Sequence, residues 1–425
     1  MPRTWFTAIT GAVLVLVSTS ALAQGQASAD ASSDRSQQFF ESWRKGAYLE
    51  AIASIEGGWE SAAEPLRSNY VQLRPALDGF VVLTEERRRP VPPADPVALA
   101  RYDSAVAADA IAEIVARAKA TRVVILNETH DNPRDRAFVL AVAEALRPLG
   151  YSYYAAETLE NWGTDQQKAE RLERLVEDGY PRRDTGTYSS EPTFGNLIRG
   201  VLALGYRPIS YEFSPPPEYW ATAADAPMEE RVAAREQAQA ENLARAIAAA
   251  GPSAKVLIHV GYSHAAERPL GPPEHQQAWM AAQLARLTGI DPLTIDQTGL
   301  SEYAYRALHA ALAQRIAGRP AIFLADGRPV AWGEIGEATD VQVVHPPIGS
   351  IGGRPDWLQR TGRQATAIPA ELLPSAGRRL IQAFAEGEAA DAVPVDQVLV
   401  RAGVEPPVVY VPAGIAIRWA VQDES

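Results

Sequence analysis

The sequence predicts an α/β protein whose core is a doubly wound, mostly parallel sheet with helices on both faces. Between about residues 101 and 318, short strand-like runs alternate regularly with longer helical segments. Strands that alternate with helices of this length form parallel βαβ units, because the crossover between two parallel strands is usually a helix. A helical N-terminal extension and a β-rich C-terminal part flank this core.

The core elements follow one another in chain order. Strands are expected at 122–126, 152–156, 208–211, 255–260 and 293–295. Helices are expected at 104–120, 134–148, 165–178, 193–204, 228–250 and 274–288. A parallel sheet of this kind is covered by helices on both faces.

The first 23 residues have the pattern of a cleavable signal peptide. Arg3 precedes an apolar run over 5–17, and small residues at alternate positions lead to Ala23. The run is shorter than the roughly 20 residues that cross a bilayer, so a stable membrane anchor is disfavoured. We expect cleavage near Ala23 and a mature protein in the periplasm or outside the cell.

Residues 24–100 are expected to form a disordered lead-in, a helical extension and a proline-rich connector. Small polar residues dominate 24–36, apolar residues have helical spacing over 39–55, and prolines follow a charge run within 85–96. We interpret the arginines at 87–89 as a solvated face.

The C-terminal part, 319–425, is rich in predicted strands and turns. Asp326-Gly327 favours a tight hairpin, and a Pro-x-Gly turn separates two strands over 408–419. Helices are expected at 301–317 and 375–388. This part contains no recognisable site motif, so we expect the chemistry to lie in the core.

Composition limits the chemistry that the chain can carry. The absence of cysteine excludes disulfides, a cysteine nucleophile and thiolate-held metals. The formal net charge of −12 argues against nucleic acid as a partner, because nucleic-acid binding requires clustered lysine and arginine. A small molecule or a peptide is the expected partner.

Reactive side chains follow four of the predicted strands. Glu128 and His130 follow the first strand, Glu157 the second, Glu212 the third and His264 the fourth. In an open α/β sheet, ligands bind outside the carboxyl ends of the strands. We therefore expect these five groups to converge in the folded protein.

This set of groups supports two kinds of chemistry. Imidazole and carboxylate groups can together hold Zn, Mn, Co or Fe, with all five side chains as candidate ligands. Alternatively, neighbouring carboxylates raise one another's pKa and supply a general base that activates water. The sequence leaves both alternatives open.

Four short motifs resemble those of the ChaN/erythromycin-esterase-like (TIKI) superfamily. Leu126-Asn-Glu-Thr-His130 is similar to its L-G-E-x-H, with Asn127 in place of glycine, and Tyr154-Ala-Ala-Glu157 to its following strand end. Arg235-Glu-Gln-Ala-Gln-Ala-Glu-Asn242 resembles R-[DE]-x-x-M-A-x-N, and Val260-Gly-Tyr-Ser-His264 resembles G-x-x-H. The order agrees, and the resemblance covers roughly 118–300.

The resemblance implies a haem-binding protein, an ester hydrolase that activates water with the first-motif histidine, or a metal-dependent protease. It implies a site of Glu128, His130, Glu157 and His264, with Arg235 as an anion or transition-state partner. We predict an exported hydrolase in which His130, oriented by Glu128 or Glu157, activates water for attack on an ester or amide. The alternative is haem or metal binding without turnover.

Three simpler interpretations compete with this one. Glu212 and Arg235 could be solvated, as charged side chains usually are. His259 lies inside its strand and is expected to be a buried, hydrogen-bonded imidazole. The tyrosines of the region could pack in the core and at its rim, line a pocket or ligate haem iron.

A rival hydrolase mechanism comes from Gly261-Tyr-Ser-His-Ala265, which also fits G-x-S-x-A after a strand. In an α/β-hydrolase, Ser263 would then be the nucleophile on a strand–turn–helix elbow. The prolines and glycine within 267–273 oppose the helix that such an elbow needs. We therefore prefer His130 over Ser263 as the reacting group.

Overall fold

The computed structural model describes residues 30–57, 59, 64–215, 219, 223, 226–272 and 276–424. The predicted signal peptide, the start of the lead-in and His275 lie outside the described residues. Within those ranges, none of the helices combines the length and the apolar character needed to cross a membrane.

In the part of the chain that the structure describes, five α-helices come first, and strands and helices then alternate from about residue 106 to residue 313. The α-helices are α1 (Asp30–Arg44), α2 (Tyr48–Glu56), α3 (Glu64–Leu73), α4 (Glu85–Arg88), α5 (Pro96–Ala100), α6 (Ala110–Ala118), α7 (Pro133–Leu146), α8 (Asp165–Asp178), α9 (Pro192–Ala203), α10 (Met228–Ala250), α11 (Met280–Thr288) and α12 (Arg306–Ala313). The strands are β1 (Val106–Asp109), β2 (Val123–Glu128), β3 (Tyr151–Ala156), β4 (Arg207–Ile209), β5 (Lys255–Gly261), β6 (Leu293–Asp296), β7 (Ala321–Ala325), β8 (Arg328–Pro329), β9 (Val341–Val344), β10 (Ser350–Ile351), β11 (Arg354–Pro355), β12 (Gln364–Thr366), β13 (Arg378–Ala385), β14 (Asp396–Arg401), β15 (Val409–Val411) and β16 (Ile417–Asp423).

The main sheet has nine strands and confirms the α/β prediction. Its order is β1-β7-β9-β6-β2-β5-β3-β4, with β8 paired to β7. The run from β9 to β4 is parallel, whereas β1, β7 and β8 form an antiparallel margin. The core was predicted to end at residue 318, but β7 and β9 lie beyond that residue and belong to the same sheet.

The two faces of the sheet are buried against different helices. Val124 and Leu126 face the layer that contains α1, α2, α3, α6, α7 and α9. Val123 and Ile125, one residue out of step on the same strand, face α10 and α11. Neighbouring side chains of β2 face different helix layers because successive side chains of a strand point to opposite faces of the sheet.

The predicted helix over 375–388 is wrong, because these residues include β13, the central strand of a three-stranded antiparallel sheet with β14 and β16. The segment is rich in residues that favour helices, but pairing with a strand on each side overrides that preference. Gly377 and Gly387, with left-handed φ values of 63° and 89°, bracket the strand.

Three N-terminal predictions also need correction. Helix α1 begins at Asp30, inside the lead-in predicted to be disordered, and the predicted helix over 39–55 is two helices separated at Gly46, whose φ is 81°. The predicted helix over 104–120 starts as β1 and becomes helical only at Ala110. There the Asp109 side chain accepts a hydrogen bond from the Ala112 amide and caps α6.

The C-terminal part is rich in strands, as predicted. Asp326 and Gly327, with φ values of 49° and 74°, form the tight turn between β7 and β8. Two strands, β15 and β16, occupy the region predicted around 408–419, but they pair with β12 and β13 and not with each other. Residues of β13, β14 and β15 enclose a separate apolar core.

Candidate catalytic site

The ends of β2, β3 and β5 bring the predicted side chains together around Gly261. A Cβ atom added to Gly261 would lie 2.4 Å from His130 Cε1, 2.7 Å from His130 Nε2 and 3.1 Å from Glu157 Oε2. The imidazole and the carboxylate, 27 residues apart in the sequence, therefore meet at one point above the sheet. Glycine is required there because any side chain would occupy the space of His130.

Glu128 is a buried carboxylate held by a two-pronged ion pair. Arg136 on α7 donates from Nε to Glu128 Oε2 at 2.9 Å and from Nη2 to Oε1 at 3.0 Å. Burial alone would raise the pKa of Glu128, but Arg136 and His259 outweigh that effect and hold it well below its usual range. Glu128 is therefore a permanent anion.

Two histidines share this anion. His130 Nδ1 lies 3.1 Å from Glu128 Oε1, and His259 Nε2 lies 3.0 Å from Oε2. The Tyr154 hydroxyl is 2.9 Å from His259 Nδ1. His259 is thus buried and hydrogen-bonded, as its position inside the strand predicts, but it also contacts the site carboxylate.

Aromatic rings fix the plane of the His130 imidazole. The Tyr188 ring stacks on it at 4.2 Å with an interplanar angle of 20°, and the Tyr262 ring meets it edge-on at 4.9 Å. With Nδ1 directed at Glu128, the ring directs Nε2 towards Gly261 and Glu157. These contacts hold the His130 ring in one orientation, in which Nδ1 faces Glu128 and Nε2 does not.

Arg235 joins the other two predicted carboxylates. Its Nη2 donates both to Glu157 Oε1 and, at 2.6 Å, to Glu212 Oε2, while its Nε donates to Glu212 Oε1 at 2.9 Å. The side chains of Arg235 and Glu212 are each 16% exposed, so neither is the solvated group that the simpler interpretation predicts. Arg235 is thus a cation shared by the carboxylates that follow two strands.

Glu157 remains ionised although it is buried. Its Oε2 accepts a hydrogen bond from the Gly261 amide at 2.6 Å. Burial would raise the pKa of Glu157, but His264, Arg235 and His130 together lower it to about 2. The prediction that neighbouring carboxylates raise one another's pKa is therefore wrong for this residue, because positive groups surround it.

His264 lies between two carboxylates. Its Nδ1 is 2.7 Å from Glu236 Oε1, and its Nε2 is 3.6 Å from Glu157 Oε1. Burial would lower the pKa of His264, but Glu236 and Glu157 outweigh that effect and raise it. A second carboxylate–imidazole pair thus faces the same cluster from α10.

The loop that carries His264 has a strained backbone. Tyr262 has a φ of 40°, a left-handed value that is unusual for a bulky side chain. Its carbonyl accepts a hydrogen bond at 2.9 Å from Asn127 Nδ2, and that amide also bonds Asp296. Asn127, which stands where the resembled motif has glycine, therefore helps to hold this loop against the end of β2.

The proline-rich connector reaches the rim of the site. Arg87 Nη2 lies 2.6 Å from Asp131 Oδ2, one residue after His130, and the Arg87 guanidinium lies 4.5 Å from the centre of the Tyr303 ring. The interpretation of all three connector arginines as solvated is thus wrong for Arg87, while Arg88 and Arg89 are exposed.

Ser263 does not have the surroundings of a nucleophile elbow. The residues Tyr262–Ala265 form a single 3-10 turn, and the chain is extended again at Ala266. Within the described ranges, no side-chain hydrogen bond joins Ser263 to a histidine. The helix that would have to follow the serine is replaced by an irregular segment, as the prolines predict.

The three carboxylates among the predicted metal ligands are already engaged with arginine. Glu128 is paired with Arg136, and both Glu157 and Glu212 are paired with Arg235. A divalent cation at these oxygens would face a guanidinium group at the same atoms. In this arrangement the donor set does not fit a metal, and within the described ranges no group of three or more histidine and acidic side chains is arranged to hold one.

Three residues of the cluster, Arg136, Glu191 and Glu236, were missed by sequence reasoning, and a fourth, His259, was expected only to be a buried, hydrogen-bonded imidazole. Arg136 and Glu191, which accepts from Arg136 Nη1 at 3.1 Å, anchor Glu128, and Glu236 and His259 contact the two ends of the set. A signal for Arg136 was available: it belongs to a run of charged residues, 134–136, that begins a helix directly after the Glu128–His130 motif. Charged residues on the buried face of such a helix indicate partners in the core.

The sequence matches none of the protein families with which it was compared, and no curated protein matches it. A solved structure that is similar in part is the crystal structure of RRSP, a MARTX toxin effector domain from Vibrio vulnificus CMCP6. The identity is 11% and the TM-score 0.31, over 61% of this chain and 55% of that chain. The aligned region is thus little more than half of that chain, and a likeness of this size carries no argument about fold or function.

Proposed function

We propose that this chain is an exported hydrolase in which His130 activates water for attack on an ester or amide. The observation that carries the proposal is the Glu128–His130 pair, with its nitrogen and oxygen 3.1 Å apart and its carboxylate anchored by Arg136. A carboxylate at Nδ1 favours the tautomer in which that nitrogen carries the proton. The other nitrogen, Nε2, is then the base that accepts a proton from water.

The remaining groups have distinct parts in this reaction. Glu128 orients His130 and stabilises the imidazolium that forms, because it stays anionic. Glu157 supplies a negative charge beside Gly261, and Arg235 holds Glu157 in position. His264, whose pKa is raised by Glu236 and Glu157, assists the reaction from the other end of the cluster.

The test is turnover with the purified protein on chromogenic esters of short and medium acyl chains, and on a peptide mixture analysed by mass spectrometry. His130→Asn should lower kcat/KM by about a thousandfold, within the range typical of general bases. His309→Asn is the matched control, since His309 is also buried and, among the described residues, its hydrogen-bond partner is the His345 carbonyl, at 2.9 Å. Its rate should stay within about threefold of the unsubstituted protein.

Two results would contradict the proposal. One is hydrolysis that His130→Asn leaves intact. The other is an absence of turnover combined with a Soret band on haem addition, or with a stoichiometric bound metal in the purified protein. Either form of the second result would favour a binding protein without turnover.

Export is part of the proposal and has its own test. N-terminal sequencing of protein recovered from outside the cytoplasm should give a start near Gln24, directly after Ala23. A chain that retains Met1 in the membrane fraction would contradict export by a cleaved signal peptide.

A further inference from the structure

Glu236 is a buried carboxylate for which the reaction above has no use. It follows Arg235 on α10, and its residue surface is 0% exposed. Among the residues that the structure describes, His264 is the one cationic group within ion-pair distance of it. A charged side chain in the interior is costly unless specific partners stabilise it, so the contacts of Glu236 indicate its role.

Each oxygen of Glu236 has one partner. Oε2 accepts a hydrogen bond at 2.8 Å from the amide of Met280, the first residue of α11. Oε1 lies 2.7 Å from His264 Nδ1, an ion-pair distance, and within the described residues neither of these two buried atoms has a well-aligned hydrogen-bond partner. The positive end of the α11 dipole favours the ionised carboxylate, which in turn is directed at the histidine.

The contact determines which nitrogen of His264 faces the cluster. With Nδ1 beside Glu236, the ring presents Nε2 to Glu157 Oε1 at 3.6 Å and to Arg235 Nη1 at 3.2 Å. We propose that Glu236, fixed to the first turn of α11, is a positioning residue that keeps a proton on His264 Nδ1 and directs Nε2 to the reacting centre. This inference rests on the proposed hydrolytic function and extends it to a residue outside the predicted site.

A purely structural role is the competing explanation, because Glu236 also caps α11. Glu236→Gln separates the two, since the glutamine oxygen can still accept from the Met280 amide while the negative charge beside His264 is lost. Removing a group that orients a functional histidine typically costs about 10- to 100-fold. We expect a loss of that size in kcat, with KM within about threefold, and a melting temperature close to that of the unsubstituted protein.

A double-mutant cycle shows whether Glu236 acts through His264. In the His264→Ala background, Glu236→Gln should lower kcat by less than about twofold, because the histidine that it positions is gone. Equal fractional losses in both backgrounds would overturn the inference and leave Glu236 as a helix cap.

A second measurement needs no substrate, so its failure can be told apart from failure of the proposed function. The chain has six histidines, and labelling them with ¹⁵N lets His264 be assigned by the signal that disappears in His264→Ala. We expect a slowly exchanging Nδ1–H signal that is lost or exchanges rapidly in Glu236→Gln. An unchanged His264 signal in that variant would refute the positioning role even if hydrolysis by His130 is established.

Discussion

The structure contains two buried arginine–carboxylate pairs of nearly identical geometry, one at the end of β2 and one in the C-terminal part. They differ in the other groups that each carboxylate contacts. Arg136 reaches Glu128 at 2.9 and 3.0 Å, and Arg354 reaches Asp396 through two contacts of 2.9 Å. Both arginines are almost fully buried. Each pair therefore satisfies the same requirement, that a charge removed from water must have a close, well-oriented partner.

The two carboxylates differ in their other contacts, which are backbone amides in one case and imidazoles in the other. Asp396 accepts from the amides of Gln397 at 2.9 Å and Tyr410 at 2.6 Å, which joins the start of β14 to β15. Glu128 instead contacts two imidazoles. A backbone amide does not ionise near neutral pH, whereas an imidazole does, so under the proposed function the same kind of ion pair stabilises the fold in one place and orients a base in the other.

The largest expected effect comes from neutralising the carboxylate of each pair. Asp396→Asn should lower the free energy of unfolding by about 3–5 kcal/mol, because the buried Arg354 guanidinium loses its counter-charge, and Glu128→Gln should lower it by less, because Arg136 keeps its ion pair with Glu191. Only Glu128→Gln should also reduce turnover per folded molecule, by about a thousandfold. Urea unfolding with hydrolysis assays on the folded fraction measures both quantities, and equal losses of turnover would remove the distinction between the pairs.

Gly261→Ala should have the next largest effect, since the added methyl would lie 2.4 Å from the His130 ring. Displacing that ring should cost about 1–3 kcal/mol in unfolding free energy and most of the activity. Gly57→Ala is the control, because its methyl would meet nothing closer than 3.5 Å. Retained activity in Gly261→Ala, with a folded protein, would mean that the position of His130 is not critical.

Much of the fold was accessible from the sequence because the core strands carry local signals that agree with their final environment. Residues 122–126 and 255–260 are apolar runs beside regular helices, and each becomes a buried parallel strand. The prediction of a helix over 375–388 is wrong for the opposite reason. This segment becomes a strand because it pairs with β14 and β16, which come later in the chain. Local propensity cannot report such pairing.

The site residues that directly follow strands could be predicted from the sequence. Glu128, His130, Glu157 and His264 follow β-strands whose carboxyl ends share one edge, and the structure brings them together there. Arg136 and Glu236 lie on helices, where neither position nor spacing distinguishes a buried charge from a solvated one. Their role depends on the layer that each helix packs against, which emerges only in the tertiary structure.

A smaller effect should appear in the pH dependence of stability. The pKa of Glu157 is about 2 in the folded protein against 4.5 for an unperturbed glutamate, so its stabilising contribution is complete above pH 4.5 and is lost as the pH falls towards 2. Between pH 6 and pH 3, the unsubstituted protein should therefore lose about 2 kcal/mol more than Glu157→Gln. Chemical unfolding at the two pH values measures the difference, and parallel behaviour of the two proteins would contradict the charged state of Glu157.

The smallest effect is expected for Ser263→Ala. Because Ser263 has no histidine partner and no following helix, its removal should change the hydrolysis rate by no more than about fivefold. A loss of three orders of magnitude, together with covalent labelling of Ser263 by a serine-reactive fluorophosphonate, would replace the His130 mechanism with a serine nucleophile.

The central claim, that the strand-end groups act as one catalytic unit, is tested most directly by the hydrolysis rates of His130→Ala, His264→Ala and the double variant. Groups that act together have strongly non-additive effects, so His130→Ala alone should cost nearly as much activity as both substitutions combined. All three proteins should fold, with unfolding free energies within about 1–2 kcal/mol of the unsubstituted chain. Additive losses, or variants that unfold, would show that these residues are structural and would contradict the account.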